Sequence, residues 1–142
     1  DPQIGAIASS LAGEIYGLET LVENAEDAER NTTRFLVMSR EAETPPLSDM
    51  TMLTTMVFTV RSVPAALYKA LGGFATNGVN LTKLESYMRP GSSASAQFYV
   101  DVEGHIDSPA MQLAMEELRF YCEDGAVSIL GTYPAGSARN AD

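Results

Sequence analysis

The chain is 142 residues long, 45% hydrophobic and 20% charged, the make-up of an ordinary globular protein, and long enough to bury roughly 68–70% of its unfolded surface. Nine basic against nineteen acidic residues give a net charge of −10 and a pI of about 4.4, a sign that repels phosphate backbones and argues against a nucleic-acid partner. A lone cysteine, Cys122, excludes an internal disulfide and a cysteine metal cluster, and no apolar run approaches the ~20 residues of a membrane span or has the form of a secretory signal; a cytoplasmic location is expected.

Residues 1–43 mix helix and strand signals. Ile4, Ile7, Ala8, Leu11 and Ile15 recur at helical spacing and predict a helix over 3–16, and Leu18, Leu21 and Val22 suggest a second, short one. The acidic run Glu23 to Glu29 reads as a solvated turn. Thr32 to Ser39 is rich in strand formers, and its continuous apolar centre suits a strand covered on both faces. These pieces make a poor core alone, and the zone reads as the end of a larger domain. The chain starts at Asp1 without Met, which fits a piece of something longer.

Residues 44–50 read as a linker, because the adjacent Pro45 and Pro46 block helix and ladder alike. Residues 51–134 then read β-α-β-β-α-β. Met52 to Val60 is the first strand, with Met56, Phe58 and Val60 on one face. The next helix is expected to start near Pro64, whose missing N–H suits a first helical position. It has Leu67, Ala70, Leu71, Phe74 and Ala75 as its buried stripe, and Gly78 ends it in a left-handed conformation. Gly72-Gly73 inside it reads as a close-packing site, not a phosphate loop. Leu81 to Met88 is a strand and Arg89 to Ser93 a turn. The next strand alternates, with Ala94, Ala96, Phe98, Val100 and Val102 on one face and Ser95, Gln97, Tyr99, Asp101 and Glu103 on the other. Asp107 or Ser108 caps the last helix ahead of Pro109. Its inner stripe is Met111, Ala114, Met115, Leu118, Tyr121 and Cys122, and Gly125 is expected to end it. Val127 to Tyr133 is the last strand, and 135–142 a loose polar tail. Two helices on one face of a four-stranded antiparallel sheet give the ferredoxin-like split arrangement.

Two places can carry chemistry. At Arg61-Ser62-Val63-Pro64-Ala65-Ala66-Leu67, a helix start presents unpaired N–H groups to a carboxylate, although every helix has such an end. At Asn80 to Ser86, Asn80 can accept from an ammonium and donate to a carboxylate, while Glu85 is either a ligand residue or a solvated strand residue. His105 has no Cys or carboxylate at ligand spacing and reads as a turn residue. Cys122 reads as buried and inert, and the methionines as core packing. No metal or cofactor is expected.

Gly78-Val79-Asn80-Leu81-Thr82-Lys83-Leu84-Glu85-Ser86 resembles the GVNLTKIES segment of ACT domains, the amino-acid-sensing modules of biosynthetic enzymes. Pro64, Ala66, Leu67 and Tyr68 are similar to their PGALY segment, with Ala65 in place of glycine. Glu85-Ser86 match the start of their ESRP motif. Tyr87-Met88 displace Arg89-Pro90, so the arginine role is not carried onto Arg89. Upstream, Asn31-Thr32-Thr33-Arg34-Phe35 resembles the TRF motif of prephenate dehydratases, and Gly5-Ala6-Ile7-Ala8-Ser9 and Tyr16-Gly17-Leu18 are similar to that family's AAIAS and YGL segments.

The resemblance implies an α/β (α+β) architecture. Residues 1–43 would be the end of a periplasmic-binding-protein-like catalytic domain, 44–50 a linker and 51–134 an ACT domain. The enzyme would convert prephenate to phenylpyruvate, water and carbon dioxide for L-phenylalanine synthesis. It implies a catalytic Thr33 that donates to the leaving hydroxyl, beside Arg34 and Phe35; Arg34 pairs either with a substrate carboxylate or with a local glutamate. It implies an L-phenylalanine site made of Ser62, Val63, Pro64, Ala65, Ala66, Leu67, Asn80, Leu81, Glu85 and Ser86, completed in a homodimer or homotetramer. With most of the catalytic lobes absent, the piece alone is expected not to turn over prephenate. Three alternatives stand beside this: a non-enzymatic amino-acid-binding module, the regulatory domain of an aromatic amino-acid hydroxylase, and a dimerisation domain without ligand. The Asn31–Phe35 segment argues against the hydroxylase.

Overall fold

The computed structural model describes residues 4–27, 33–41, 43–88 and 96–136. Asn31 and Thr32, the turn at 89–93 with Arg89, the strand positions Ala94 and Ser95, and the tail from 137 lie outside the described residues. The chain divides into two units, Asp1–Met38 and Ser39–Asp142.

In the first unit the only helix among the described residues is α1 (Ser10–Tyr16), not the longer 3–16 helix expected. Ser9 sets the start: its hydroxyl accepts from the Ala12 N–H at 3.2 Å, satisfying an orphan donor of the first turn. Gly17, at φ 61, ends it. The short helix expected at 18–22 is not formed, and 33–39 makes no ladder. The apolar residues of these segments lie exposed: Ile7 is 97% exposed and Val37 101%. Helix and strand draw most of their stability from burying such residues, and local propensity alone does not hold them.

The second unit is a four-stranded antiparallel sheet, order β2-β3-β1-β4, formed by β1 (Met52–Val60), β2 (Leu81–Met88), β3 (Ala96–Glu103) and β4 (Cys122–Pro134). Helices α2 (Ala66–Thr76) and α3 (Pro109–Tyr121) connect them. This is the ferredoxin-like arrangement expected. β1 and β3 pair from Leu53↔Glu103 to Thr59↔Gln97. Their alternation sends Met56, Phe58, Val100 and Val102 into the core beneath the helices, all fully buried. Phe58 and Phe98 stack at 5.6 Å between ring centroids, and burying each such ring stabilises the fold by about 1.5–3 kcal/mol. β4 is longer than the expected 127–133 and meets β1 with register shifts at Thr55/Met56 and Phe58/Val60. Gly125, at φ 70, lies within β4 and does not end α3, which stops at Tyr121.

The α2 start differs from the expectation. Pro64 is not the first helical residue; the helix begins at Ala66, capped by Ala65 in the left-handed conformation (φ 56, ψ 29). The far end follows the sequence signal. With Gly78 at φ 68, the Val79 N–H reaches Phe74 O at 2.8 Å and the Gly78 N–H reaches Ala75 O at 3.3 Å, the paired bonds of a Schellman end. On the buried stripe, Ala70 and Phe74 are fully enclosed while Ala75 is exposed; its place inside is taken by Gly73, where α2 meets α3.

A Cβ on Gly73 would lie 2.6 Å from Glu117 Cβ and 3.1 Å from Ala114 O, whereas one on Gly72 meets nothing within 4 Å. The two glycines are therefore separable. Gly73→Ala is expected to force the helices apart and destabilise by about 1–3 kcal/mol. Gly72→Ala is expected to stabilise by about 0.5–1 kcal/mol, through lower chain entropy in the unfolded state. Urea denaturation of both variants tests the pair; equal effects would refute the close contact.

Candidate ligand-binding site

β1 ends at Val60 and the chain turns through Ser62–Ala65 into α2. A Val63 N–H to Arg61 O bond of 2.8 Å and an Ala66 N–H to Val63 O bond of 3.1 Å hold this corner. Against it lies an open cavity of about 400 Å³ lined by Val60, Arg61, Ser62, Val63, Pro64, Ala66 and Ala96. Four of the expected ligand residues, Ser62, Val63, Pro64 and Ala66, are brought together there. Ala65 shapes the corner as the helix cap, and Leu67 packs on the core.

The strand residues of the expected site lie elsewhere. Leu81 pairs with Val102, and Val102 with Thr54, so Asn80 and Leu81 sit at the opposite end of the sheet from Val60, ~20 Å away at ~3.3 Å per residue. There the Asn80 amide donates to Glu103 Oε2 at 3.0 Å. Ser86, opposite Phe98, is on the helix side of the sheet; Glu85, opposite Tyr99, is on the helix-free side. Glu85 accepts from the Tyr87 hydroxyl and pairs with Lys83 at 3.1 Å. The Tyr87 hydrogen bond, then Lys83, holds the Glu85 carboxyl below its ordinary value, and Glu85 in turn raises Lys83 and Tyr87. Lys83 also lies 4.9 Å from the Tyr99 ring centroid.

That helix-free face is more closed than its alternation suggests. Asp101 is fully buried on it. The Thr55 hydroxyl donates to Asp101 Oδ1 at 2.6 Å and lies 2.7 Å from the Tyr133 hydroxyl. Because the Thr55 proton is committed to the carboxylate, Tyr133 is the donor in that second contact.

His105, read as a turn residue, is 3% exposed. Its Nδ1 accepts from the Asp107 N–H at 3.1 Å, so Nε2 carries the proton and donates to Pro45 O at 2.7 Å. It fastens the 44–50 segment to the base of β3. No local sequence pattern signals this, because Pro45 lies sixty residues from His105 and the two meet only in the fold. Among the described residues no group of His, Cys, Asp and Glu is placed to hold a metal ion, and no helix is long and apolar enough to cross a membrane.

Thr33, Arg34 and Phe35 belong to the first unit, are exposed and have no regular structure. Phe35 is 85% exposed. Arg34 has an electrostatic or hydrogen-bonded partner of its own.

Residues 1–43 match the family model of prephenate dehydratase. A bifunctional N-acyl-homoserine lactone acylase/prephenate dehydratase from Komagataeibacter europaeus is 52% identical over 134 residues, covering 94% of this chain and 47% of the relative. A bifunctional chorismate mutase/prephenate dehydratase from Aquifex aeolicus is 38% identical, covering 94% and 36%. Over 94% of its length the chain is similar to proteins named as prephenate dehydratases. Among solved structures, the prephenate dehydratase of Arthrobacter aurescens in complex with L-phenylalanine superposes with a TM-score of 0.60 at 28% identity, covering 68% of this chain and 31% of that one. The quorum-quenching acylase GqqA superposes at 0.65 with 48% identity, covering 72% and 52%. The chain spans less than half the length of the curated prephenate dehydratase relatives named here.

Two consequences can be measured on this chain itself. A non-glycine residue in the left-handed region is strained by about 1 kcal/mol, so Ala65→Gly is expected to raise stability by up to that amount in urea denaturation; a loss would show that the α2 cap is not left-handed. Cys122 is 1% exposed, and burial, ahead of the smaller effects of Arg61 and Glu123, pushes its thiol from 9.0 up to about 11. The folded state therefore keeps a proton that the unfolded chain loses, and the associated stability, intact below pH 9, is lost as pH rises toward 11. Cys122→Ala is expected to flatten that alkaline decline, read from denaturation midpoints at pH 8 and pH 10.5.

Proposed function

We propose that the unit of residues 51–134 is the ACT sensor of a prephenate dehydratase and that it binds L-phenylalanine at the β1–α2 corner. The observation that carries this reading is the cavity at the α2 start, lined by four of the residues that the ACT resemblance names. The L-phenylalanine complex of the Arthrobacter relative supports the choice of ligand. Unpaired N–H groups of the helix start meet the carboxylate, and Val60, Val63 and Pro64 supply apolar wall. Residues 1–43 are the end of the catalytic domain, with 44–50 as linker. In the intact cytoplasmic enzyme, Thr33 donates to the departing hydroxyl of prephenate, Arg34 pairs with a substrate carboxylate and Phe35 helps exclude water. Phenylalanine bound at the sensor feeds back on that reaction.

A second copy completes the site. A two-fold axis beside β2 would set the Asn80 end of one copy against the Met88–Ala96 end of the other. Asn80 and Leu81 of the second copy would then reach the cavity that their own chain leaves ~20 Å away. Glu85 and Ser86 line the seam.

Calorimetric titration of L-phenylalanine, with L-tyrosine and L-leucine as controls and oligomer size followed alongside, tests the reading. Saturable binding selective for phenylalanine, with dimers or larger species present, is expected. No heat up to millimolar ligand overturns the sensor. Ala65→Gly, which places a strain-free residue at the corner, is expected to tighten binding.

A further inference from the structure

We propose that Arg61 is the carboxylate-recognising, specificity-determining residue of the β1–α2 cavity, so that the site takes amino acids with a free α-carboxylate and rejects their amides. The inference rests on the amino-acid-binding reading of that cavity.

Arg61 lines the cavity and is held by its neighbours in a single pose. Its backbone N–H reaches Tyr121 O at 3.0 Å, its Nε–H donates to Cys122 O at 2.8 Å, and the guanidinium carbon sits 6.0 Å from the Phe120 ring centroid. The corner where α3 passes into β4 thus orients the guanidinium plane before any ligand arrives. Such preorganisation lowers the entropy lost on binding. The fork itself suits a planar carboxylate in a way that a lysine does not.

The charge of Arg61 is only loosely matched. Its ion-pair partner is Asp124, with Nη2 and Oδ1 3.7 Å apart, beyond a good hydrogen bond. The Asp124 side chain is fully exposed and that of Arg61 half exposed, and an exposed pair of this kind contributes little. A ligand carboxylate in the cavity can therefore replace Asp124, exchanging a weak, screened contact for a charge-assisted one beside the α2 start. Asp124 acts as a competing anion that sets the affinity.

The test is calorimetry on the whole chain with L-phenylalanine and L-phenylalaninamide. Arg61→Gln is expected to weaken L-phenylalanine binding by about tenfold or more, the worth of a lost charged hydrogen bond. The amide is expected to bind the parent and Arg61→Gln chains equally weakly. Asp124→Asn, a change at an exposed side chain, is expected to tighten L-phenylalanine binding by about twofold, the scale of an exposed ion pair. A folded Arg61→Gln that binds L-phenylalanine as the parent does overturns the inference while leaving the sensor reading intact. If Arg61→Gln does not fold, unchanged affinity in Asp124→Asn overturns it. A parent chain that binds no amino acid removes both.

Discussion

β1 is hydrogen-bonded on both edges, to β3 along one side and β4 along the other, and the helix-facing side chains Met56 and Phe58 are fully buried. The other elements of the second unit take their positions from this strand. α2 must leave from its Val60 end and return antiparallel, which puts the helix start, the cavity and the α3–β4 corner together. The same constraint sends the Asn80 end of β2 to the far side. The division of the proposed ligand site between two ends of one sheet follows from the topology and needs no special loop.

The second constraint is the distance between the helices. At Gly73 the α2 backbone comes so close to α3 that a single methyl would meet Glu117 and Ala114. This contact lets two short helices cover the core at interior packing density. The hydroxyl of Thr76 and the amide of Asn77 then bond Glu117 Oε1 at 3.3 and 3.2 Å, tying the last turn of α2 to α3 beside the glycine.

How much of this was legible in the sequence depended on where each element finds its partner. Met52–Val60 and Leu81–Met88 were readable to the residue, because each is a run of strand-forming residues bounded by turn and breaker residues. The Schellman end at Gly78 and the Ser108 cap were readable because their bonds are local. The α2 start was placed two residues early, since Pro64 is a good first helical residue while a left-handed alanine gives no sequence signal. The helix at 18–22 and the strand at 32–39 have the right composition, but their apolar faces lie exposed, and propensity without burial does not hold them. Within the site, the helix corner was legible. The hold on the Arg61 side chain was not, because its partners, the Cys122 carbonyl and the Phe120 ring, lie about sixty residues away in the chain, and the opposed facing of Glu85 and Ser86 appears only once the sheet is assembled.

The two edges of the sheet are unlike. β4 follows β1 through two breaks in register, and its first half carries Gly125 in a left-handed conformation. Such irregularity increases local twist and spoils the even row of N–H and C=O groups that an incoming strand would read. β2 has one shift against β3, at Leu81/Lys83, and then pairs in unbroken register from Lys83 to Met88. An incoming strand would therefore meet a more even row of backbone groups along β2 than along β4.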